Sequence, residues 1–425
     1  MLLQFNVKNY MSIKDEIVLL LNANAAKEHE NNLIFYGNDR ILPSIAIYGA
    51  NAAGKSNVFK ALTAAILLVR NSNVMQVNSL TGLVPFMLDD ESRTKPTKLD
   101  FLFTYNGTKY SYGFTGDQYN IYEEYLYEYK SSRPTVIFER ENINNYRYTA
   151  TYTSLKQYEE KNANNKLFLC TATAWNCQET RNAFMWFAEN IETYTAIGIQ
   201  IGNSYFDELD KRRDDPRFKK LLLEMLKHAD INISDYDFES RKIQDLSKIM
   251  LPPGIALNAE MVNEIVNNAK EYKLETHHSI ETEEGIKDYT LNFDVESAGT
   301  KLVFAYAPII LEALEKGRTI IVDEIDSCLH PMLLSYLISI FNDKDRNKNG
   351  AQLIFNTHDT SLLDLSRFRR DQIYFVEKNN LNGITDLYSL ADFSPRKTDD
   401  IRKGYMQGRY GAIPVIAGGL EWIDD

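Results

Sequence analysis

The sequence predicts an α/β protein in which a parallel or mixed sheet is flanked by helices. In the last third of the chain, short apolar strands alternate with helical segments, a pattern typical of a parallel sheet covered by helices. The predicted elements of this part are residues 289–295, 301–315, 319–322, 331–341, 352–356 and 372–376. Nearer the N-terminus, a buried-strand pattern at 45–48 ends in glycine and is followed by helical spacing over 56–69. These observations predict an α/β core.

The remaining elements follow from local patterns. Residues 2–21 alternate as strands do, and Asn106 and Gly107 separate two alternating runs, which predicts a β-hairpin. We expect an N-terminal antiparallel β lobe, with the tyrosines of 105–129 packing on its sheet. Residues 141–165 are polar and predict loops and edge strands. Helical spacing over 179–194 and 216–228, followed by a proline–glycine break at 252–254, predicts a compact, mostly helical insertion.

Composition restricts the classes of function. The chain has 425 residues, a net charge of −12 and three cysteines, which is too few for a disulfide framework. The start of the chain lacks the pattern of a signal peptide, and its longest apolar run, 61–69, is far shorter than the roughly 20 residues of a membrane span. We therefore expect a cytoplasmic protein. The acidic balance argues against unselective binding to phosphate backbones and leaves room only for a local basic strip.

A phosphate-binding loop is predicted at residues 49–56, which match the pattern G-x-x-x-x-G-K-[ST] between a strand and a helix. Backbone N–H groups of such a loop wrap the β-phosphate, while Lys55 would reach the β- and γ-phosphates and Ser56 would bind Mg²⁺. The alternative is a tight strand–helix turn with a solvated lysine. The predicted nucleotide-binding residues here are Gly49, Asn51, Ala52, Ala53, Gly54, Lys55, Ser56 and Asn57.

Two later strands end in polar residues. The strand at 319–322 is followed by Asp323, which would hold Mg²⁺ through water, and by Glu324, which would polarise the attacking water. A strand that ends in acids is common, so this motif alone is weak. The strand at 352–356 leads to His358. This histidine is either a structural hydrogen-bonding group or, if it lies at the same carboxyl edge of the sheet as Asp323, a γ-phosphate sensor.

A short motif at 296–300 precedes a predicted helix. Ser297 with Gly299 is either an ordinary N-cap or a second anion site whose hydroxyl and amide face a γ-phosphate.

The four motifs follow one another along the chain as the phosphate-binding loop, the serine–glycine signature at 296–300, the acidic strand and the histidine strand. In this order the chain resembles an ABC-type ATPase head of the SMC- and RecF-like branch. More closely it resembles the AbiLi/RloA group of bacterial anti-phage defence ATPases, relatives of the ATPase half of OLD-family nucleases. The matching segments are 9–13, 49–56, 296–300, 323–331, 356–359 and 403–414.

The resemblance implies a homodimer or higher homo-oligomer that encloses two ATP molecules with Mg²⁺. Lys55, Ser56, Asp323, Glu324 and His358 of one subunit would face Ser297 and Gly299 of the other, and Asp326 would couple the two sites. It also implies three parts: an N-terminal half of the head (1–130), the insertion (131–285) and a C-terminal half (286–425). Relatives often carry Arg or Lys where this chain has Met11. No glutamine of this chain is assigned to the Q-loop of such ATPases.

Between the phosphate-binding loop at 49–56 and the serine–glycine motif at 296–300, the sequence has no sustained heptad repeat and no Cys-x-x-Cys pair. We therefore expect no coiled coil there. Few residues follow His358, so we expect a nuclease or toxin effector to act in trans. Two alternatives stay open, a RecF-like repair ATPase that acts on DNA and an ATP-dependent scaffold.

The basic clusters that could contact nucleic acid are Lys211, Arg212, Arg213, Arg367, Arg369 and Arg370, although such runs are usually solvated or ion-paired faces. His277 and His278 are more typical of a solvated loop than of a metal site.

Overall fold

The computed structural model describes residues 1–195, 204–243 and 270–414. The predicted break at 252–254 lies outside these residues. The strands are β1 (Leu2–Lys8), β2 (Ile17–Leu20), β3 (Ile34–Tyr36), β4 (Asp39–Ile41), β5 (Ser44–Tyr48), β6 (Thr97–Tyr105), β7 (Thr108–Gly116), β8 (Ile121–Tyr129), β9 (Thr135–Glu141), β10 (Asn145–Arg147), β11 (Ile191–Thr195), β12 (Asp235–Lys242), β13 (Lys270–Thr282), β14 (Gly285–Asn292), β15 (Thr319–Asp323), β16 (Gln352–Asn356), β17 (Ile373–Lys378) and β18 (Thr385–Ser389).

The helices of the described residues include a long helix after β5 and others in the middle and last thirds of the chain. They are α1 (Lys55–Asn71), α2 (Phe168–Ala174), α3 (Gln178–Met185), α4 (Ser204–Lys211), α5 (Pro216–His228), α6 (Ala298–Lys316), α7 (Pro331–Asn342) and α8 (Ile401–Met406). Among the described residues, no helix is both long enough and apolar enough to cross a membrane.

The chain divides into two compact units. The first contains residues 1–195, 313–326 and 334–414, and the second contains residues 204–243, 270–312 and 327–333. The three-part division at residues 130 and 285 stays a prediction.

A six-stranded sheet of the first unit carries the P-loop. Its order is β11-β15-β16-β5-β17-β18, and every neighbouring pair is parallel except β17 with β18. Parallel strands covered on both faces are buried and continuously apolar, and residues 45–48 of β5 are at most 1% exposed. The α/β class and this sheet are confirmed, including the predicted strands at 319–322 and 352–356.

A seven-stranded antiparallel sheet forms the predicted β lobe, in the order β10-β9-β8-β7-β6-β1-β2. Asn106 and Gly107 both have positive φ, 46° and 80°, as a two-residue hairpin turn requires. The inner face packs on α1 and on an aromatic group in which the Phe103 and Trp186 rings stack with centroids 4.1 Å apart. The predicted hairpin and the packing role of the tyrosines are confirmed, since Tyr112 is fully buried.

A buried ion pair joins this lobe to α2. Arg140 and Glu124 lie 3.6 Å apart with fully buried side chains, and Glu124 accepts the N–H groups of Phe168 and Leu169 at the start of the helix. Burial raises the pKa of Glu124, while Arg140 and these hydrogen bonds oppose that change. Because a carboxylate at a helix N-terminus satisfies unpaired N–H groups, the pair fixes where α2 begins.

The second unit contains a three-stranded antiparallel sheet, β12-β13-β14. Aromatic side chains of Phe206, Phe238 and Tyr272 stack on it. Helix α5 begins as predicted, because Asp215 caps it by accepting the N–H groups of Arg217 and Phe218.

Three local predictions are corrected. The helix predicted over 179–194 ends at 190, and residues 191–195 form β11, because they pair in parallel with β15 at the sheet edge. The strand predicted at 289–295 is displaced to β14, and residues 293–295 form a 3₁₀ turn. His277 and His278 lie on β13, where their ring nitrogens lie 2.9 Å from Asp237 and 2.8 Å from Glu296. They are therefore strand residues with carboxylate partners, and the described residues contain no group of three potential metal ligands.

Candidate functional site

The P-loop connects β5 to α1 through two glycines that tolerate no side chain. A Cβ atom on Gly49 would lie 2.3 Å from the carbonyl oxygen of Val376, and one on Gly54 would lie 2.2 Å from Thr385 Oγ1. Gly54 also has a φ of 104°, and Ala52 has a φ of 62°. The loop is thus held tightly against β17 and β18, and it leads into the N-terminus of α1, where an anion is favoured.

Lys55 folds back over this loop. Its ammonium group donates to the carbonyl oxygens of Gly49 at 2.8 Å and Ala50 at 3.0 Å, and the residue is only 6% exposed. Burial lowers the pKa of Lys55, and the nearby carboxylates Asp323 and Glu324 act in the opposite direction. A buried cation held only by carbonyl groups is well placed to exchange them for phosphate oxygens.

The acidic end of β15 lies beside the P-loop. Ser56 Oγ donates to Asp323 Oδ1 at 3.3 Å. Asn356, at the end of the neighbouring strand β16, donates through its side-chain nitrogen to Asp323 and accepts the N–H group of Glu324. Hydroxyl and carboxylate oxygens are the ligands that Mg²⁺ prefers, so Ser56 and Asp323 fit a magnesium ion.

Glu324 and His358 lie at the same carboxyl edge of the sheet, and both are exposed. Glu324 adopts a left-handed backbone conformation with a φ of 59°, which turns the chain sharply after the strand. The N–H group of His358 donates to Asp326 Oδ2 at 2.9 Å. Although the residue is exposed, partial desolvation of its ring, with a smaller effect from the charge of Lys55, lowers the pKa of His358. The lowered pKa favours the neutral imidazole, which retains both a donor and an acceptor nitrogen.

The predicted signature residues belong to the second unit. Ser297 Oγ accepts the N–H group of Thr300 at 3.1 Å, so Ser297 is the N-cap of α6. A Cβ atom on Gly299 would lie 3.3 Å from the carbonyl oxygen of Cys328. The N-cap interpretation is confirmed, and the hydroxyl is exposed. A second anion site at Ser297 and Gly299 stays a prediction.

Two residues that support the P-loop, Ser12 and Thr385, have no individual role in the sequence analysis. Thr385 Oγ1 lies 3.0 Å from the carbonyl oxygen of Ala53 and 2.8 Å from Ser12 Oγ. Asn57 in turn donates to Ser12 Oγ at 2.6 Å. Ser12 lies inside the recognised 9–13 motif, whereas nothing in the sequence places Thr385 beside the loop.

The 9–13 motif also holds a long connection of the lobe in place. Asn9, with a φ of 55°, accepts the N–H group of Phe86 at 3.1 Å and donates to the carbonyl oxygen of Lys95 at 2.8 Å. Met11 donates its N–H group to Val84 at 2.9 Å. These bonds place residues 84–96 next to the P-loop support.

The basic clusters are mostly ion-paired. Arg369, one of the basic residues that could contact nucleic acid, is 1% exposed and bound to Asp371 at 2.8 Å, so it cannot reach a phosphate backbone. Arg370 pairs with Glu28 at 3.2 Å. The cluster at 211–213 pairs with the acids around it, and the partners are Glu208, Asp210, Asp214 and Asp215.

Comparisons with known proteins found similar solved structures and one matching family. Among solved structures, the chain is similar to the SMC head domain from Thermotoga maritima, at 12% identity and a TM-score of 0.40, over 91% of this chain and 98% of that one. It is similar, at the same identity and TM-score, to the SmcHead in a crystal structure bound to the C-winged helix domain of ScpA, over 91% of this chain and 97% of that one. No curated protein matches. The profile of one family, "AAA domain, putative AbiEii toxin, Type IV TA system", matches residues 44–364, which is more than half of the chain, and the chain therefore belongs to that family.

Proposed function

We propose that the chain hydrolyses ATP at the carboxyl edge of its six-stranded sheet. The observation that carries the proposal is the contact of Ser56 with Asp323 at 3.3 Å, with Asn356 bonded both to Asp323 and to the backbone of Glu324. This arrangement places a hydroxyl and two carboxylates next to the P-loop, the set that phosphoryl transfer to water requires.

Each residue has a role in that reaction. Lys55 would exchange its two carbonyl partners for phosphate oxygens, and Ser56 and Asp323 would hold Mg²⁺. Bound Mg²⁺ would supply charge neutralisation at the phosphate oxygens. Glu324 would accept a proton from the attacking water, and the neutral His358 would donate an N–H group to the γ-phosphate.

The active form in this proposal is a homodimer. Glu324, His358 and Ser297 are all exposed, so the hydrolytic groups of one copy and the α6 N-cap of another are both accessible. Ser297 and Gly299 of a second copy would cover the γ-phosphate and exclude water from the site, which strengthens every electrostatic interaction there. ATP binding would thus control assembly.

We further propose that this dimer acts in the cytoplasm as a sensor or regulator in anti-phage defence, with a nuclease or toxin as its trans-acting effector. Membership of a family named for a putative AbiEii toxin of a type IV TA system supports such a role. The test is phage plating on cells that carry the chain with its neighbouring genes. Plating should fall for the intact locus and recover with Lys55→Ala, and equal plating on both would contradict the proposal.

The RecF-like alternative is less well supported, because Arg369, one of the basic residues that could contact DNA, is buried. It requires turnover that DNA stimulates and that falls steeply with salt. The scaffold alternative requires that removal of Glu324 leaves biological activity intact while removal of Lys55 abolishes it.

A further inference from the structure

We propose that a recess lined by Leu88 and by the connection from β17 to β18 binds the nucleoside end of a purine nucleoside triphosphate. This inference rests on the proposed function, because it takes the phosphates to lie on the P-loop. It assigns a base-recognition role to residues outside every motif of the sequence.

The direction in which a nucleotide leaves the P-loop follows from contacts at the start of α1. Ser56 faces the acidic side, where it meets Asp323. The next residue, Asn57, faces the other side, where it bonds to Ser12, which contacts Thr385 of β18. With the γ-phosphate on the acidic side, the nucleoside leaves toward β18.

A cleft of about 1000 Å³ begins at the P-loop and extends to the connection that leads into β18. Its walls include residues 49–53 of the loop, His358, Leu88 and the connection 377–383. Ligand pockets measure roughly 300–1,000 Å³, so the cleft has room for a nucleoside beyond the phosphates.

Leu88 is positioned to be the apolar wall of the recess. It is 67% exposed, although it contacts the loop, since a Cβ atom on Gly383 would lie 2.4 Å from Leu88 Cδ1 and 3.8 Å from Lys378 Cε. Gly383 therefore makes room for both side chains, and its φ of 71° also disfavours any other residue.

The chemistry of these groups suits a purine nucleoside. A purine has two flat apolar faces and a polar edge, and Leu88 can cover one face as it loses contact with water. Lys378 supplies a cation near the ribose, and the exposed amide of Asn380 supplies donors and an acceptor for the edge. The backbone of the same loop is held by Asn379, which accepts the N–H group of Leu381 at 2.9 Å.

The experiment compares Leu88→Asp with the matched control Leu80→Asp, because Leu80 is similarly exposed, at 59%, and lies outside the cleft. Calorimetry would measure binding of two probes, Mg-ATP and inorganic tripolyphosphate. We expect Leu88→Asp to weaken ATP binding by about tenfold and to leave tripolyphosphate binding unchanged. The control should bind both probes as the wild type does.

Unchanged ATP binding in Leu88→Asp would overturn the inference, and so would an equal loss for both probes, since the effect would then lie at the phosphates or in the fold. If the wild type binds tripolyphosphate and ATP equally well, the nucleoside has no subsite and the inference also fails while the P-loop assignment survives. If the wild type binds neither probe, the proposed function itself is wrong.

Discussion

Lys55→Ala should weaken Mg-ATP binding by at least about 100-fold, because it removes two charge-assisted hydrogen bonds to phosphate, each of which contributes about 1.5–3 kcal/mol. In the free protein these donors are occupied by Gly49 and Ala50. Replacing them with phosphate oxygens exchanges neutral acceptors for anionic ones, and alanine can make neither set of bonds. Titration calorimetry with Mg-ATP measures the effect directly.

The matched control is Lys60→Ala, since Lys60 is an exposed lysine of the same helix. It should bind ATP as the wild type does and melt at the same temperature. Lys55→Met keeps most of the buried side-chain volume and separates loss of charge from loss of packing. Tight ATP binding by both Lys55 variants would mean that the nucleotide does not lie on this loop.

Glu324→Gln should lower ATP turnover by about 10²–10⁴-fold, the usual contribution of a general base, while ATP binding stays intact. The substitution keeps the size of the side chain and removes only its ability to accept a proton. Because Glu324 is exposed and is held through its backbone by Asn356, the fold should not change. Phosphate release and calorimetry separate the two effects.

The control for this variant is Glu160→Gln, an exposed glutamate on the lobe side of the first unit. It should hydrolyse ATP at the wild-type rate. Wild-type turnover by Glu324→Gln would show that another group activates the water. Loss of ATP binding in the same variant would instead place Glu324 in nucleotide binding.

Sequence patterns predicted the parts of the site that are local. The P-loop, Asp323 and His358 each follow directly from a strand with a recognisable apolar pattern, and parallel strands bring their carboxyl ends to one edge. The sheet order confirms that edge, with β15, β16 and β5 adjacent.

The supporting contacts are not local, and this is why the sequence did not predict them. Thr385 is more than three hundred residues from the P-loop in sequence, and the pairing of β18 with β17 brings it into contact with the loop. Asn356 belongs to a predicted strand, but its hydrogen bonds to Asp323 and Glu324 depend on the register between β15 and β16. The helix predicted over 179–194 was too long because residues 191–195 gain a strand partner in β15, a tertiary effect that local spacing does not contain.

In the proposed dimer each ATP site is shared between two copies of the chain, and mixing two inactive variants tests this sharing most directly. Lys55→Ala retains an intact Ser297, while Ser297→Arg retains an intact P-loop, so a mixed dimer contains one complete site. Random exchange of subunits should therefore restore about a quarter of wild-type turnover from two variants that are each inactive. If the mixture is no more active than the two variants measured separately, the sites are not shared and the dimer mechanism is wrong.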